Sequence, residues 1–147
     1  MMHQPYKIPL ALCLVLLVTV AACRGNRNDS TVGTTGTTAV RVTDVTLGRA
    51  IGGDKTVTDK TDTFRPNDTI YASVVTDGST ASATIRARWT FEDGQVVDES
   101  TKTIASTNRE TTEFHIAKAD GWPEGKYKLE VSVNDQRAET KNFEVRR

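Results

Sequence analysis

Cysteine and histidine are both scarce in this sequence. Its two cysteines are Cys13 and Cys23, so the chain after residue 23 can hold no disulfide and no zinc site built on thiolates. Its two histidines are His3 and His115, and only His115 lies in the body of the chain. One histidine without a cysteine does not supply the usual ligands of zinc. We therefore expect no metal site and no cofactor.

A surplus of charge of either sign is also lacking, because 19 Lys and Arg residues balance 19 Asp and Glu residues. Proteins that bind nucleic acids carry a basic surplus that neutralises phosphates, and polybasic arms bind anionic lipids in the same way. The balance argues against a nucleic-acid partner and against attachment to a membrane by charge. The length of 147 residues leaves room for one ordinary domain.

Long apolar runs are lacking except for one, at residues 8–20. A helix needs about 20 apolar residues to cross a bilayer, and Pro9 interrupts the start of this run. Its length is instead typical of the apolar region of a signal peptide. A positively charged residue precedes it, and the small residues Ala21 and Ala22 follow it. We predict that residues 1–22 are a signal peptide.

The residues at the end of this segment resemble the lipobox of bacterial lipoproteins, which consists of an aliphatic residue, two small residues and the cysteine to be modified. Here they are Val20, Ala21, Ala22 and Cys23. In that family the thiol receives a diacylglyceryl group, and the peptidase that cleaves before it accepts only small side chains. The resemblance implies that Cys23 is lipidated and anchors the chain to a membrane. The alternative is an ordinary secretory signal that happens to precede a cysteine.

The residue after Cys23 bears on the destination within the same family. Asp at that position tends to retain a lipoprotein at the inner membrane of Gram-negative bacteria, whereas this chain has Arg24. The resemblance implies an outer-membrane lipoprotein that faces the periplasm, if the organism has two membranes. Residues 23–38 are polar and rich in Gly and Thr, so we predict a flexible tether with an r.m.s. reach of about 20 Å.

Alternation of apolar and polar residues dominates the chain from residue 39 onward, and no segment has the spacing of an amphipathic helix. Turn signals separate the alternating segments at short intervals. This pattern predicts one all-β domain over residues 39–147, with about seven strands in an antiparallel sandwich. The predicted strands are residues 40–47 with a kink at Thr43-Asp44, 69–75, 83–91, 96–104, 111–116, 126–133 and a last strand with Phe143 and Val145 facing inward; residues 55–58 are a candidate short edge strand.

Two details of this domain resemble immunoglobulin-like domains. Trp89 lies on the third predicted strand, where such domains place their core tryptophan. Tyr127 begins the sixth strand just after a turn, and Leu129 stands two residues later, where antibody domains have their second cysteine. This arrangement resembles a tyrosine corner in which an aliphatic side chain replaces the disulfide. The resemblance implies an immunoglobulin-like β-sandwich, and a fold of this kind implies no particular activity.

The segment Glu92-Asp93-Gly94-Gln95 predicts a hairpin between two of these strands. An Asp-Gly pair is typical of a two-residue turn. Such a turn places Arg88 opposite Glu99 on the solvent-facing side of the sheet, where the two would form a weak ion pair.

Motifs of catalysis are missing from the sequence, which has no serine nucleophile elbow, phosphate-binding glycine loop or calcium loop. His115 alternates with the apolar Phe114, so a solvent-facing strand position is favoured over a catalytic base. Three acidic residues in a predicted loop are a candidate calcium site, although a solvated loop is favoured: Asp54, Asp59 and Asp62. We therefore expect a protein that is not an enzyme.

One tryptophan and two arginines are candidate contacts for a partner. Trp122 precedes Pro123, and it is either an anchor for a partner or a cap at the open end of the sandwich beside Tyr127. Arg86 and Arg88 alternate with core residues and face the solvent. One alternative is that they form a basic patch with Arg65 and Arg109. The other is that they keep the sheet soluble by pairing with carboxylates, which are Glu99, Glu110 and Glu113.

The function that these observations favour is binding rather than catalysis. We expect a lipid-anchored, non-enzymatic module that binds or assembles proteins at the periplasmic face of the outer membrane. The alternative is an accessory lipoprotein of a secretion or envelope-stress apparatus. The sequence indicates a protein partner without identifying it.

Overall fold

The computed structural model describes residues 39–147, and these residues form strands and loops only. The predicted signal peptide, the lipobox and the tether, at residues 1–38, lie outside the described residues. No helix within residues 39–147 is long and apolar enough to cross a membrane. The eight strands are β1 (Arg41–Gly48), β2 (Thr63–Phe64), β3 (Ile70–Asp77), β4 (Thr80–Phe91), β5 (Gln95–Ser106), β6 (Glu110–Ile116), β7 (Gly125–Val133) and β8 (Gln136–Val145).

The strands form two sheets, which we call the small sheet and the large sheet. The small sheet has the order β1-β3-β6, and the large sheet has the order β2-β8-β7-β4-β5. All pairs are antiparallel except β2 with β8, which is parallel. The three central strands of the large sheet, β8, β7 and β4, correspond to the GFC strands of immunoglobulin domains. The protein is therefore an immunoglobulin-like β-sandwich, as the sequence predicts.

The core lies between the two sheets, and it is built by the predicted alternation of side chains. Trp89 on β4 is fully buried, and the edge of its ring meets Phe143 at a centroid distance of 5.8 Å. Leu129 on β7 is also fully buried and pairs directly with Trp89 in the register of the large sheet. Leu129 thus stands beside the core tryptophan at the position where antibody domains have the second cysteine of their disulfide.

The chain between β1 and β2 differs from the prediction. Residues 55–58 do not form an edge strand, since only an isolated bridge joins Val57 to Ile51. Ser73 on β3 holds this segment against the small sheet. Its hydroxyl donates to the carbonyl of Lys55 over 2.6 Å and accepts from the backbone N–H of Val57 over 2.8 Å. The extra strand is β2, a two-residue piece in a segment that we expected to be a loop, and it raises the count from seven strands to eight.

The hairpin between β4 and β5 has a different turn from the one predicted. Phe91 pairs with Gln95, so three residues form the loop instead of two, and Glu92 and Gly94 both have positive φ angles, of 44° and 102°. A bulge at Val97 then adds one residue to β5 and cancels the shift. The prediction that Arg88 lies opposite Glu99 is confirmed for this reason.

The two ends of the sandwich differ in what they carry. We call the end where β1 begins the proximal end, because residues 1–38 join the domain there; Arg41 pairs with Asp77 at this end. The opposite end is the distal end, where β4 finishes and β7 begins, with Phe91 paired to Tyr127. The loops after β2, β4 and β6 all lie at the distal end, so this end offers a surface away from the point of attachment.

Candidate functional site

The tyrosine corner at the start of β7 organises the distal end. The hydroxyl of Tyr127 donates a hydrogen bond of 2.8 Å to the carbonyl of Pro123, as expected of a tyrosine corner. The ring stacks on Phe143 at a centroid distance of 5.2 Å and meets Phe91 at 4.8 Å. Burial, followed by the charge of Glu92, raises the pKa of Tyr127 above its ordinary value, so the hydroxyl keeps its proton and remains a donor.

Trp122 closes the sandwich beside this corner. Its side chain is 6% exposed, and its ring meets Tyr127 edge to face at 6.3 Å. The indole N–H donates to the carbonyl of Asp68 over 3.1 Å, and the backbone N–H donates to the carbonyl of Pro66 over 2.7 Å. Trp122 thus occupies the position expected of a cap. Its contact with a partner stays a prediction, limited to the part of the ring that borders the surface.

A cleft opens at the distal end between the start of β5 and the loop after β6, and we call it the distal cleft. Its volume is about 430 Å³. Val96 is 43% exposed, the only large apolar side chain of residues 39–147 that is exposed. Clustered apolar side chains next to aromatic ones are typical of binding surfaces. The apolar and aromatic residues that line the cleft are Phe91, Val96, Val97, Ala117, Trp122, Pro123 and Tyr127, and the charged ones are Asp98 and Lys118.

The wall of this cleft is fixed by Glu92, which joins the β4–β5 loop to β7. Its carboxylate accepts a hydrogen bond of 2.9 Å from the backbone N–H of Lys126, and its own N–H donates to the carbonyl of Lys126 over 2.8 Å. Gly125 makes this approach possible. A Cβ there would come within 2.3 Å of the Glu92 carboxylate and 2.7 Å of the Phe91 ring, and its φ is 149°. The cleft is therefore preformed by local contacts.

The two candidate arginines lie on the outer face of the large sheet, and both face carboxylates. Arg88 lies 3.6 Å from Glu99, and Arg86 lies 3.6 Å from Asp135 and 3.3 Å from the hydroxyl of Ser132. Arg65 follows β2, which is separated from β4 by β8 and β7 in the large sheet, and Arg109 precedes β6 of the small sheet. The four arginines therefore do not form one patch, and pairing with carboxylates explains this pair.

His115, Glu113 and Lys102 form a charged cluster on and beside β6. The Nδ1 atom of His115 lies 2.5 Å from the carboxylate of Glu113, and the Nζ atom of Lys102 lies 3.3 Å from the same carboxylate. Burial raises the pKa of Glu113, but the hydrogen bonds from His115 and Lys102 outweigh it and hold the pKa below its ordinary value. The side chain of His115 is 57% exposed, so the predicted solvent-facing position is confirmed.

The three acidic residues considered for calcium serve local structure. Asp54 accepts hydrogen bonds from the backbone and the hydroxyl of Thr56, which lower its pKa. Asp59 pairs with Arg49 at 2.9 Å, and this hydrogen bond lowers its pKa. Asp62 accepts a hydrogen bond of 3.3 Å from the hydroxyl of Thr63. Among the residues that the structure describes, no group of three or more His, Cys, Asp or Glu side chains is placed to hold a metal ion.

Reasoning from sequence missed the distal cleft, because its residues come from segments that are separated along the chain. Phe91 and Val96 stand on either side of a hairpin turn, whereas Trp122 and Pro123 follow some 25 residues later. One local feature of the sequence points to the cleft. Val96 and Val97 are adjacent valines that break the apolar–polar alternation at the start of a predicted strand. Such a pair is compatible with a bulge that turns one apolar side chain outward.

Neither a protein-family model nor a curated protein sequence matches this chain. An immunoglobulin-like protein from Pseudomonas aeruginosa matches 76% of this chain over 99% of its own length, with 15% identity and a TM-score of 0.50. A second match is the structure of the alkylpurine DNA glycosylase AlkC from Pseudomonas fluorescens, bound to DNA with an abasic site analog. It matches 74% of this chain with 14% identity and a TM-score of 0.50, and the match covers 30% of the glycosylase. A β-glucosidase from Listeria innocua in complex with glucose matches 73% of this chain with 7% identity and a TM-score of 0.45, over 16% of the enzyme. The likeness to the immunoglobulin-like protein from Pseudomonas aeruginosa supports an immunoglobulin-like fold for the domain and brings no activity with it.

Proposed function

We propose that this protein is a lipid-anchored, non-enzymatic module of the bacterial envelope that binds a protein partner through the distal cleft. The anchor is the predicted lipid on Cys23, and the predicted location is the periplasmic face of the outer membrane. The observation that carries the proposal is the cleft itself. It combines the exposed Val96 with aromatic walls, and it lies at the end of the sandwich opposite the attachment of residues 1–38.

The chemistry of the cleft suits a partner that inserts apolar side chains. Its walls are Phe91 and Trp122, which are rigid and held in place by contacts with Tyr127. Rigid aromatic side chains lose little conformational freedom when they are covered, so they contribute strongly at interfaces. Asp98 and Lys118 at the rim carry opposite charges, which would orient a polar partner without attracting nucleic acid.

A non-enzymatic function is supported by the chemistry around this cleft. The residues that line it include neither serine, cysteine nor histidine. The histidine of the domain stands on the outer face of the small sheet, where its partner is Glu113. A nucleophile and a base within hydrogen-bond reach of each other are what covalent catalysis needs.

Site-specific photocrosslinking in intact cells tests the proposal. A photoreactive residue at Val96 of the full-length chain should yield a discrete protein adduct, whereas one at Lys128, on the outer face of the large sheet, should not. The Val96 adduct should disappear when Phe91→Ala is added, because that change removes a wall of the cleft. Equal adducts at both positions, or an adduct indifferent to Phe91→Ala, would show that the cleft is not the binding site.

The same experiment includes the anchor. With Cys23→Ala, the adduct at Val96 should fall because the domain is no longer held at the membrane where its partner resides. Identification of the adduct by mass spectrometry distinguishes a component of a secretion or envelope-stress apparatus from a general envelope protein.

A further inference from the structure

The outer edge of β5 is an unpaired β-edge. β5 has 12 residues and is the last strand of the large sheet, and within residues 39–147 no other strand pairs with its outer side. Alternate backbone N–H and C=O groups of an edge strand point away from the sheet. Such a row is a template for another strand, and proteins usually block it with charges, prolines, bulges or a covering segment.

The other edges of the described sheets are covered or interrupted, whereas β5 has no bulge between Asp98 and Ile104. On β8, the outer side that β2 leaves unpaired is interrupted by a bulge at Ala138. On β6 the Nζ atom of Lys102 donates to the backbone carbonyl of Glu113, so a charge covers that edge. On β1 a bulge lies between Val42 and Asp44, and β2 has two residues only. The bulge of β5 is confined to Val97, near its start, and the side chain of Lys102 is turned toward β6. The middle of β5 carries Asp98, Glu99 and Lys102 among small hydroxyl side chains, so a second strand can pair there only where its charges match.

We propose that β5 pairs with β5 of a second copy of this chain, antiparallel and centred on Ser100. A two-fold axis perpendicular to the sheet places each residue opposite its symmetry-related position. Centred on Ser100, this axis sets Asp98 of each copy opposite Lys102 of the other, and Glu99 opposite Thr101. Opposite charges that face each other across two strands stabilise the pair, and this register creates two such contacts.

Residues that pair directly across strands must lie on the same face of the sheet, and Asp98 and Lys102 satisfy this condition. Asp98 pairs with Trp89 and Lys102 pairs with Ile85, both of which point into the core. Both charged side chains therefore lie on the inner side of the large sheet, and the side chain of Lys102 reaches the edge of the small sheet at Glu113. The side chain of Lys102 remains 45% exposed, so it is accessible to a second carboxylate beside Glu113.

Neighbouring registers lack this complementarity. Centring on Glu99 would set two carboxylates opposite each other, and centring on Lys102 would do the same with two ammonium groups. Centring on Thr101 would set Asp98 against Ile104, which leaves the carboxylate without a partner. The charge pattern of β5 therefore selects Ser100 as the centre.

Disulfide formation through one introduced cysteine tests the pairing in the full-length chain. With Ser100→Cys the two sulfur-bearing residues face each other with a Cα separation of about 4.5–5.5 Å, which is within the range of a disulfide. Because the full-length chain also contains Cys13 and Cys23, peptide mapping of a new dimer band on a non-reducing gel must show that position 100 is linked to position 100. The expected result is a dimer band for Ser100→Cys above the wild-type background, and none for Thr46→Cys on the edge of β1.

Charge reversal in the Ser100→Cys chain then tests the register. Asp98→Lys alone and Lys102→Asp alone should each lower the dimer yield at least five-fold, because each creates two like-charge contacts. The double variant should restore the yield. A restored dimer yield in the double variant would show that the single variants fail because of the charges between the two copies. Loss of the contact between Lys102 and Glu113 would not explain the result, since the double variant also lacks that contact. A thermal melt of each variant checks that the domain is folded.

Three outcomes would overturn the inference. They are a Ser100→Cys chain that stays monomeric while folded, a disulfide to Cys23 of the same chain, and an adduct with a different protein. The last would mean that β5 accepts a strand from a partner instead of a second copy. This inference does not rest on the distal cleft. Because the register places Val96 near Ile104 of the second copy, a Val96 adduct with another copy of this chain supports β5 pairing, and a Val96 adduct with a different protein supports the distal cleft.

Discussion

Tyr127→Phe removes one oxygen atom from the distal end and leaves the rest of the ring in place. The hydroxyl that is lost donates to the carbonyl of Pro123 over 2.8 Å, in a partly buried hydrogen bond, and Tyr127 itself is 3% exposed. Loss of such a hydrogen bond costs about 1–2 kcal/mol of folding free energy. The contacts of the ring with Phe91 and Phe143 persist, so no cavity adds to this cost.

Chemical denaturation of the domain, followed by tryptophan fluorescence, measures this loss as a shift of the midpoint at constant slope. In a thermal melt the same loss corresponds to a decrease of about 4–8 °C for a domain of this size. Tyr71→Phe is the matched control. Tyr71 lies on the outer face of β3 against His115, and its hydroxyl donates to no acceptor among the described residues. We expect Tyr71→Phe to change the stability by less than about 0.5 kcal/mol.

Two results would refute this reasoning. If Tyr127→Phe and Tyr71→Phe shift the midpoint equally, the hydrogen bond to Pro123 contributes nothing specific and the tyrosine corner does not stabilise the distal end. If Tyr127→Phe changes the slope of the transition instead of the midpoint, the variant alters the compactness of the folded or unfolded state, and the loss of a single hydrogen bond does not explain it.

Further predictions concern the core, the cleft, the charged cluster and the anchor. Trp89→Ala should cost about 3–5 kcal/mol in denaturation, since it leaves a cavity between the sheets, and an unchanged midpoint would contradict the assignment of β4. Gly125→Ala should cost about 1–3 kcal/mol by the same assay, because its φ of 149° strains any residue with a Cβ. The pKa of Glu113 is lowered in the folded state. The stability that Glu113 contributes is therefore present above its unfolded pKa and is lost as the pH falls through its folded pKa. Glu113→Gln should accordingly flatten the acid limb of a pH–stability profile. Cys23→Ala should abolish labelling by fatty-acid analogues and leave an unprocessed precursor in cells. A chain that begins at Arg24 should appear in the soluble fraction. If that chain pellets with membranes while folded and monodisperse, a second attachment to the membrane exists.

The parts of the fold that depend on side-chain alternation were predictable. The face of β4 formed by Ile85, Ala87 and Trp89 follows from a period of two, and all three side chains are fully buried. The kink at Thr43-Asp44 and the corner at Tyr127 were also predictable, because each has a local signal. All of these features are encoded by residues that are close together in sequence.

The features that could not be predicted depend on distant parts of the chain. β2 is a strand only because residues 63–64 lie beside β8, about 80 residues later. The turn at Asp93-Gly94 has three residues instead of two, because Glu92 is held by the backbone of Lys126. The distal cleft requires Val96 and Trp122 to lie on neighbouring elements, which no local pattern indicates.

The position of β7 in the middle of the large sheet has a consequence for the order in which the domain can form. β7 lies between β4 and β8, and the side chains that cover Trp89 include Leu129 and Phe143 from the last part of the chain. A chain that is synthesised from its N-terminus leaves Trp89 uncovered until these residues have emerged. Folding of the domain is therefore completed only when β8 is available. Until then the β4–β5 hairpin exposes apolar side chains, as aggregation-prone folding intermediates do.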